Sequence, residues 1–102
     1  MNILTAQQVK RKIEENPGAK LVMTLGPNAF ARNHIPGSLN IWNIEMAKKE
    51  FPLNTEIIVY CSDQTCMASY YAYQQLEQAG FQNIWRFAGG LVEWNSAGYS
   101  FA

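Results

Sequence analysis

The 102-residue sequence is short of most features that point to a partner. It has no charge excess of either sign: eight Lys and Arg stand against eight Asp and Glu. A nucleic-acid or anionic-membrane surface needs a basic surplus, so neither partner is implied. The one basic cluster, Lys10-Arg11-Lys12, runs into Glu14-Glu15 and reads as the solvated face of a helix. No apolar run approaches the ~20 residues that span a bilayer. The opening Met1-Asn2-Ile3-Leu4-Thr5 has neither the basic start nor the long apolar stretch of a signal peptide, so a cytoplasmic protein is expected. Two Cys and one His do not make a tetrahedral ligand set, so no metal is called for. In a reducing compartment, two cysteines in so small a chain are more often free or reactive than a structural staple. Repeats, low-complexity segments and linkers are also missing, which leaves one domain over residues 1–102 as the expectation.

What is present suits a packed α/β domain: 48% of the residues are apolar and 13% aromatic. Thr5-Ala6-Gln7-Gln8 is a capping box, with Leu4 and Val9 as its hydrophobic staple. The helix it opens carries Ala6, Val9 and Ile13 on one stripe and stops at Asn16-Pro17-Gly18. Lys20 to Leu25 has strand length, and a brief helix around Ala29 to Arg32 follows the Gly26-Pro27-Asn28 break. His34-Ile35-Pro36-Gly37-Ser38 is turn chemistry before an extended piece at Leu39 to Ile41, and Asn43 caps a helix through Lys49. Glu56 to Tyr60 is an unbroken run of the kind covered on both faces of a sheet. A helix from about Cys66 to Ala79 has Ala68, Ala72, Leu76 and Ala79 at helical spacing, with Gly80 and Phe81 placed for a Schellman ending. Asn83 to Phe87 is the next strand, and Leu91 to Ala97 the last helix. Strands separated by helices require crossovers, hence a central, mainly parallel sheet flanked by helices on both faces.

Sites in such sheets lie beyond the carboxyl ends of the strands, and Cys61 stands at that address. Backbone N–H groups of the following loop can converge on its sulfur while the helix dipole points toward it, both favouring a thiolate. The alternative is a small buried residue finishing a core strand.

Tyr60-Cys61 and its loop, Gln78-Ala79-Gly80-Phe81, Asn83-Ile84 and Phe87-Ala88-Gly89-Gly90-Leu91-Val92-Glu93-Trp94 together resemble a rhodanese (sulfurtransferase) domain. Phe30 and His34-Ile35-Pro36-Gly37-Ser38-Leu39-Asn40-Ile41 match that family's turn, so the resemblance covers nearly the whole chain. It implies a rhodanese-like α/β fold. It also implies that Cys61 takes sulfur as a persulfide and passes it to a thiol or cyanide, without a cofactor. The substrate-binding loop would be Ser62, Asp63, Gln64, Thr65, Cys66 and Met67. The partners implied are a small sulfur donor or a persulfide-carrying protein, and a thiol acceptor.

The chain departs from the family pattern in three respects. Cys66 stands where the loop arginine is usual, Met23 and Leu25 where the first strand usually carries Asp and Arg, and Met67 where a hydroxyl residue is common. The only formal charge in the loop is Asp63, so oxyanion donors such as thiosulfate are expected to turn over poorly. The related dual-specificity phosphatases need a Cys-loop-Arg clamp, and no Arg or Lys lies between Cys61 and Arg86. Cys66 is either a resolving thiol for Cys61 or a packing residue. Arg86 either lines the site in place of the missing charge or is an exposed strand residue. His34 is read as structural within its turn, and Trp42, Trp85 and Trp94 as packing residues. Two other functions stay open: a binding or regulatory module that keeps the fold without catalysis, and a Cys61/Cys66 thiol-disulfide sensor.

Overall fold

Local rules set the first helix. In the computed structural model, which describes residues 1–102, the Gln8 N–H donates to Thr5 Oγ1 at 3.2 Å. The Thr5 N–H donates in return to Gln8 Oε1 at 2.8 Å. This capping box starts α1 (Ala6–Glu15), which buries Ala6 and Val9 and leans Ile13 on the same cluster. A second cap comes from the far end of the chain: Glu93 Oε2 accepts the Ala6 N–H at 2.6 Å.

The strands β1 (Lys20–Met23), β2 (Leu39–Asn40), β3 (Glu56–Tyr60) and β4 (Asn83–Phe87) form one parallel sheet in the order β2-β1-β3-β4. Between and after them lie α2 (Pro27–Arg32), α3 (Ile44–Glu50), α4 (Ala68–Gln78) and α5 (Gly90–Ser96). None of these helices is long and apolar enough to cross a membrane. Side-chain alternation along the strands splits the core in two. Met23, Ile58, Tyr60 and Phe87 pack with Ala6, Val9 and Trp94 on one face. Val22, Ile57, Val59 and Ile84 pack with Ala47, Tyr73 and Leu76 on the other. Each such side chain contributes about 1.5–3 kcal/mol on full burial. β3, with both faces covered, ends at Tyr60 and leads directly into Cys61, which is still buried at its carboxyl end.

Several boundaries differ from the expected ones. β1 stops at Met23, although the Thr24 N–H still reaches Tyr60 O at 3.0 Å. α2 begins at Pro27, which needs no N–H at that position. α3 runs one residue further, to Glu50. α4 begins at Ala68 rather than Cys66, because the Cys66 N–H is drawn back to Asp63 O at 3.2 Å and Asp63 Oδ1 at 3.1 Å. Its buried stripe is Ser69, Tyr73 and Leu76, and the expected alanines sit half-buried beside it. The helix ends as the spacing requires: Gly80 has φ 101° and the Phe81 N–H reaches Leu76 O at 3.1 Å. Trp94 is buried in the core, whereas Trp42, expected to pack in the core or at its edge, is 45% exposed.

Candidate active site

β3 delivers Cys61 with no solvent exposure, on the sheet face that it shares with Ile57 and Val59. Its thiol donates toward Cys66 O at 3.3 Å and lies 3.5 Å from Ser69 Oγ, at the start of α4. The backbone on either side of the sulfur is clamped by α5. The Leu91 N–H bonds Cys61 O at 3.1 Å, and the Val92 N–H bonds Ser62 O at 3.0 Å. Gly90 permits this approach: a Cβ there would fall 2.1 Å from Cys61 O.

The loop from Ser62 to Met67 closes on itself through Asp63. Asp63 Oδ1 accepts the Thr65 N–H at 2.9 Å, the Thr65 hydroxyl at 2.6 Å and the Cys66 N–H at 3.1 Å. These bonds hold its carboxyl below the ordinary value of 3.8. Two backbone donors that an oxyanion could have used are thereby taken by a carboxylate of the protein's own. Gln64 and Met67 are exposed, and Ser62 and Cys66 half-buried.

Arg86 is buried, not exposed, on β4, and has no carboxylate within ion-pair distance. Its Nε donates to Ser69 Oγ at 3.0 Å, and its guanidinium lies 5.6 Å from the centre of the Tyr70 ring. Ser69 therefore touches both a buried cation and the Cys61 sulfur. Sequence reasoning had passed over Ser69; the signal available was its place one turn into the helix that follows the cysteine loop.

The two thiols titrate together. Burial pushes the Cys61 thiol above its ordinary value of 9.0, and the neighbouring Cys66 sulfur pushes it the same way against the Ser69 hydroxyl and N–H. On Cys66 burial also acts upward. It is outweighed by hydrogen bonds from the Cys61 thiol, the Ala68 and Ser62 N–H groups and the Ser62 hydroxyl, so this thiol is held below 9.0.

His34 faces away from this chemistry. Its Nδ1 is 2.8 Å from Phe30 O and its ring stacks on Phe30 at 3.8 Å. The turn it belongs to reaches the site by another route. The Ile35 N–H bonds the Tyr60 hydroxyl at 3.0 Å, and Ser38 Oγ lies 2.8 Å from the same oxygen. The turn therefore anchors the residue immediately before Cys61. Met23 and Leu25, at the places of the missing charges, join the core on the opposite sheet face.

A cysteine at the end of an inner parallel strand, a tight loop and a helix N-terminus define a cysteine-loop α/β domain. The chain belongs to the rhodanese-like domain family, whose model matches residues 5–97. It is 33% identical over 81 residues to thiosulfate sulfurtransferase GlpE of Pseudomonas syringae pv. syringae, covering 78% of this chain and 74% of that one. The GlpE of Pseudoalteromonas translucida is 33% identical over 75 residues, covering 70% and 68%. Among solved structures, the BH2092 protein from Bacillus halodurans superposes with a TM-score of 0.89 at 21% identity, over 99% of this chain and 76% of that one.

Proposed function

We propose that the protein is a sulfurtransferase that carries sulfane sulfur as a persulfide on Cys61. Membership of the rhodanese-like family and the sulfurtransferase names of the two GlpE relatives support the class. The observation that carries the mechanism is the chain of contacts from Arg86 through Ser69 to the Cys61 sulfur. The Ser69 hydroxyl accepts from Arg86 and keeps its own proton to turn toward sulfur. Negative charge on Cys61, as thiolate or persulfide, is thereby met by a hydroxyl that a buried cation polarises.

In the loading step, Cys61–S⁻ attacks the outer sulfur of a donor X–S⁻. The X–S bond breaks, X leaves with its electron pair, and Cys61–S–S⁻ remains. In the unloading step a thiolate acceptor R–S⁻ takes the outer sulfur, giving R–S–S⁻ and regenerating Cys61–S⁻. Because Cys61 is fully buried at rest, loading requires the Ser62–Met67 loop to lift. Because Asp63 occupies loop N–H groups, oxyanion donors are poor and uncharged-ended or protein-borne donors better.

Intact-mass measurement after mixing with sulfane-sulfur donors tests the reading. One added sulfur is expected, lost in Cys61→Ser. No gain with any donor would leave the fold as a binding module.

A second reading rests on the closeness of the two cysteines, the Cys61 thiol donating to Cys66 O at 3.3 Å. The Cys66 thiol attacks the inner sulfur of Cys61–S–SH, the S–S bond breaks, and an internal disulfide forms with release of H₂S. The same mass experiment reads this as a loss of two hydrogens once the donor is exhausted.

A further inference from the structure

From the Cys61 loop a strip of surface without charged side chains runs along α4. Met67, the last residue of the loop and the cap of α4, is 44% exposed. The Tyr71 N–H bonds Met67 O at 3.1 Å, and Gln75 follows one turn later, so the three stand on one helix face. This ridge of about 12 Å borders a cavity of about 230 Å³ between α3, α4 and the sheet. Trp42, Asn43, Tyr71 and Gln75 form the exposed rim of the cavity. Inside, Ala47, Ala68 and Ala72 face Val22, Ile57 and Val59 without filling the space, and no Asp, Glu, Lys, Arg or His lines it.

The cavity stops short of the reacting sulfur, because neither Cys61 nor any residue of the Ser62–Met67 loop lines it. Its occupant is therefore an anchor, held apart from the chemistry. An apolar cavity of about 150 Å³ is enough for benzene, so one leucine- or phenylalanine-sized side chain fits. Exposed Met, Tyr and Trp with no charge among them is the composition of a protein–protein interface core. A pocket rimmed by Trp and a 57% exposed Tyr is where such interfaces concentrate their binding energy. At the loop end of the ridge stands a single negative charge. Asp63 commits Oδ1 to the loop, whereas its Oδ2 takes no hydrogen bond, is not buried and has no Lys or Arg within ion-pair distance.

We infer that this face docks a protein that carries the donor sulfur as a cysteine persulfide. One apolar side chain of that protein anchors between Trp42 and Tyr71, and a Lys or Arg beside its cysteine meets Asp63. The inference rests on the sulfurtransferase reading and gives it a donor. The transfer is Cys61–S⁻ plus R–S–S⁻ giving Cys61–S–S⁻ plus R–S⁻, where R–S⁻ is the partner's cysteine thiolate. The donor's S–S bond breaks and its electron pair leaves on the partner's sulfur. No oxyanion has to enter the loop whose N–H groups Asp63 takes. The docking face also bears on the loop that must lift, because Met67 belongs to both. Contacts remote from the reacting atoms supply the binding energy for that opening.

The test uses the full chain and synthetic peptides that each bear one persulfidated cysteine. Lysine or glutamate stands beside the cysteine, and leucine or serine roughly three to six residues away, an extended reach of ~10–20 Å. Loading of Cys61 is followed by intact mass. At the best spacing, leucine should outpace serine about thirtyfold in kcat/KM, and lysine should outpace glutamate about threefold. Asp63→Asn keeps an oxygen in the place of Oδ1 and should erase the lysine preference alone. Ala72→Leu, which fills the cavity, and Tyr71→Ala, which strips its rim, should erase the leucine preference alone. Tyr71 is exposed, so that variant gives the readout should Ala72→Leu fail to fold. Equal loading by all the peptides, or preferences that survive these substitutions, would overturn the inference. Loading by inorganic polysulfide with no peptide preference sinks the docking face and keeps the sulfurtransferase. Amide shifts of Cys61→Ser at Trp42, Met67 and Tyr71 on adding the unpersulfidated lysine–leucine peptide, with no donor loading the wild type, do the reverse. Shifts that follow protein concentration instead of peptide would make a second copy the occupant and overturn the inference as well.

Discussion

Replacing Gly90 by alanine tests how the fold holds Cys61. Gly90 has φ 55°, and an added Cβ would lie 2.1 Å from Cys61 O, 2.8 Å from Cys61 C and 3.0 Å from Ser62 C. All three are backbone atoms, so no side chain can swing away. The left-handed conformation costs about 1–2 kcal/mol for a residue with a Cβ. Overpacking adds about 1–3 kcal/mol. The bond from the Leu91 N–H to Cys61 O, 3.1 Å long, is stretched as the carbonyl retreats, at about 1 kcal/mol. A loss of about 3–6 kcal/mol is a large share of the ~5–15 kcal/mol that holds a domain together. Gly98 is the control: its φ is 88° but nothing lies within 4 Å of a Cβ there, so Gly98→Ala carries the conformational cost alone. Urea denaturation should separate the two by about 2 kcal/mol or more at equal m-value. In addition, only Gly90→Ala should slow persulfide loading of the folded protein, because it moves the Cys61 backbone. Equal losses in the two variants, with equal loading, would refute the clamp.

Three other expectations follow from the site and its supports. Ser69→Ala and Arg86→Leu should move the pH dependence of Cys61 alkylation upward and slow loading about tenfold, equivalent to ~1.4 kcal/mol in the transition state; an unmoved profile would remove the relay. Cys66→Ala should lower the Cys61 pKa in the ultraviolet thiolate titration, because Cys66 contributes to the upward shift on Cys61. A Cys61 titration unmoved by the substitution would show that the thiols do not interact. Glu56 accepts from Lys12 at 3.1 Å, Asn16 at 2.7 Å and Trp85 at 3.1 Å; burial raises its pKa, but these bonds outweigh it and hold the carboxyl below 4.5. A depressed carboxylate stabilises above its unfolded pKa and loses that contribution as pH falls through the folded one. Glu56→Gln should therefore cost about 1–2 kcal/mol near pH 7, with the gap to wild type closing below 4.5; a gap independent of pH would contradict the assignment.

The sequence by itself determined what depends on neighbours along the chain. The capping box at Thr5, the Schellman ending at Gly80 and the apolar run through Val59 are each local patterns with one good solution, and the structure has all three. It also located Cys61 at a strand end, because strand length and the following polar loop are readable residue by residue. Tertiary structure decided what depends on residues far apart. Whether Arg86 was an exposed strand residue or a buried cation turned on Ser69, 17 positions earlier, and on a coverage that periodicity does not report. The alanines of α4 looked like a core stripe, yet in three dimensions they face strands too far away for methyl groups to fill the gap, and a cavity results. The start of α4 turned on Asp63, whose short side chain accepts the Cys66 N–H and delays the helix to Ala68. Chain-local chemistry fixes where elements start and stop; only packing fixes which charges are buried, which donors are already taken and where space is left.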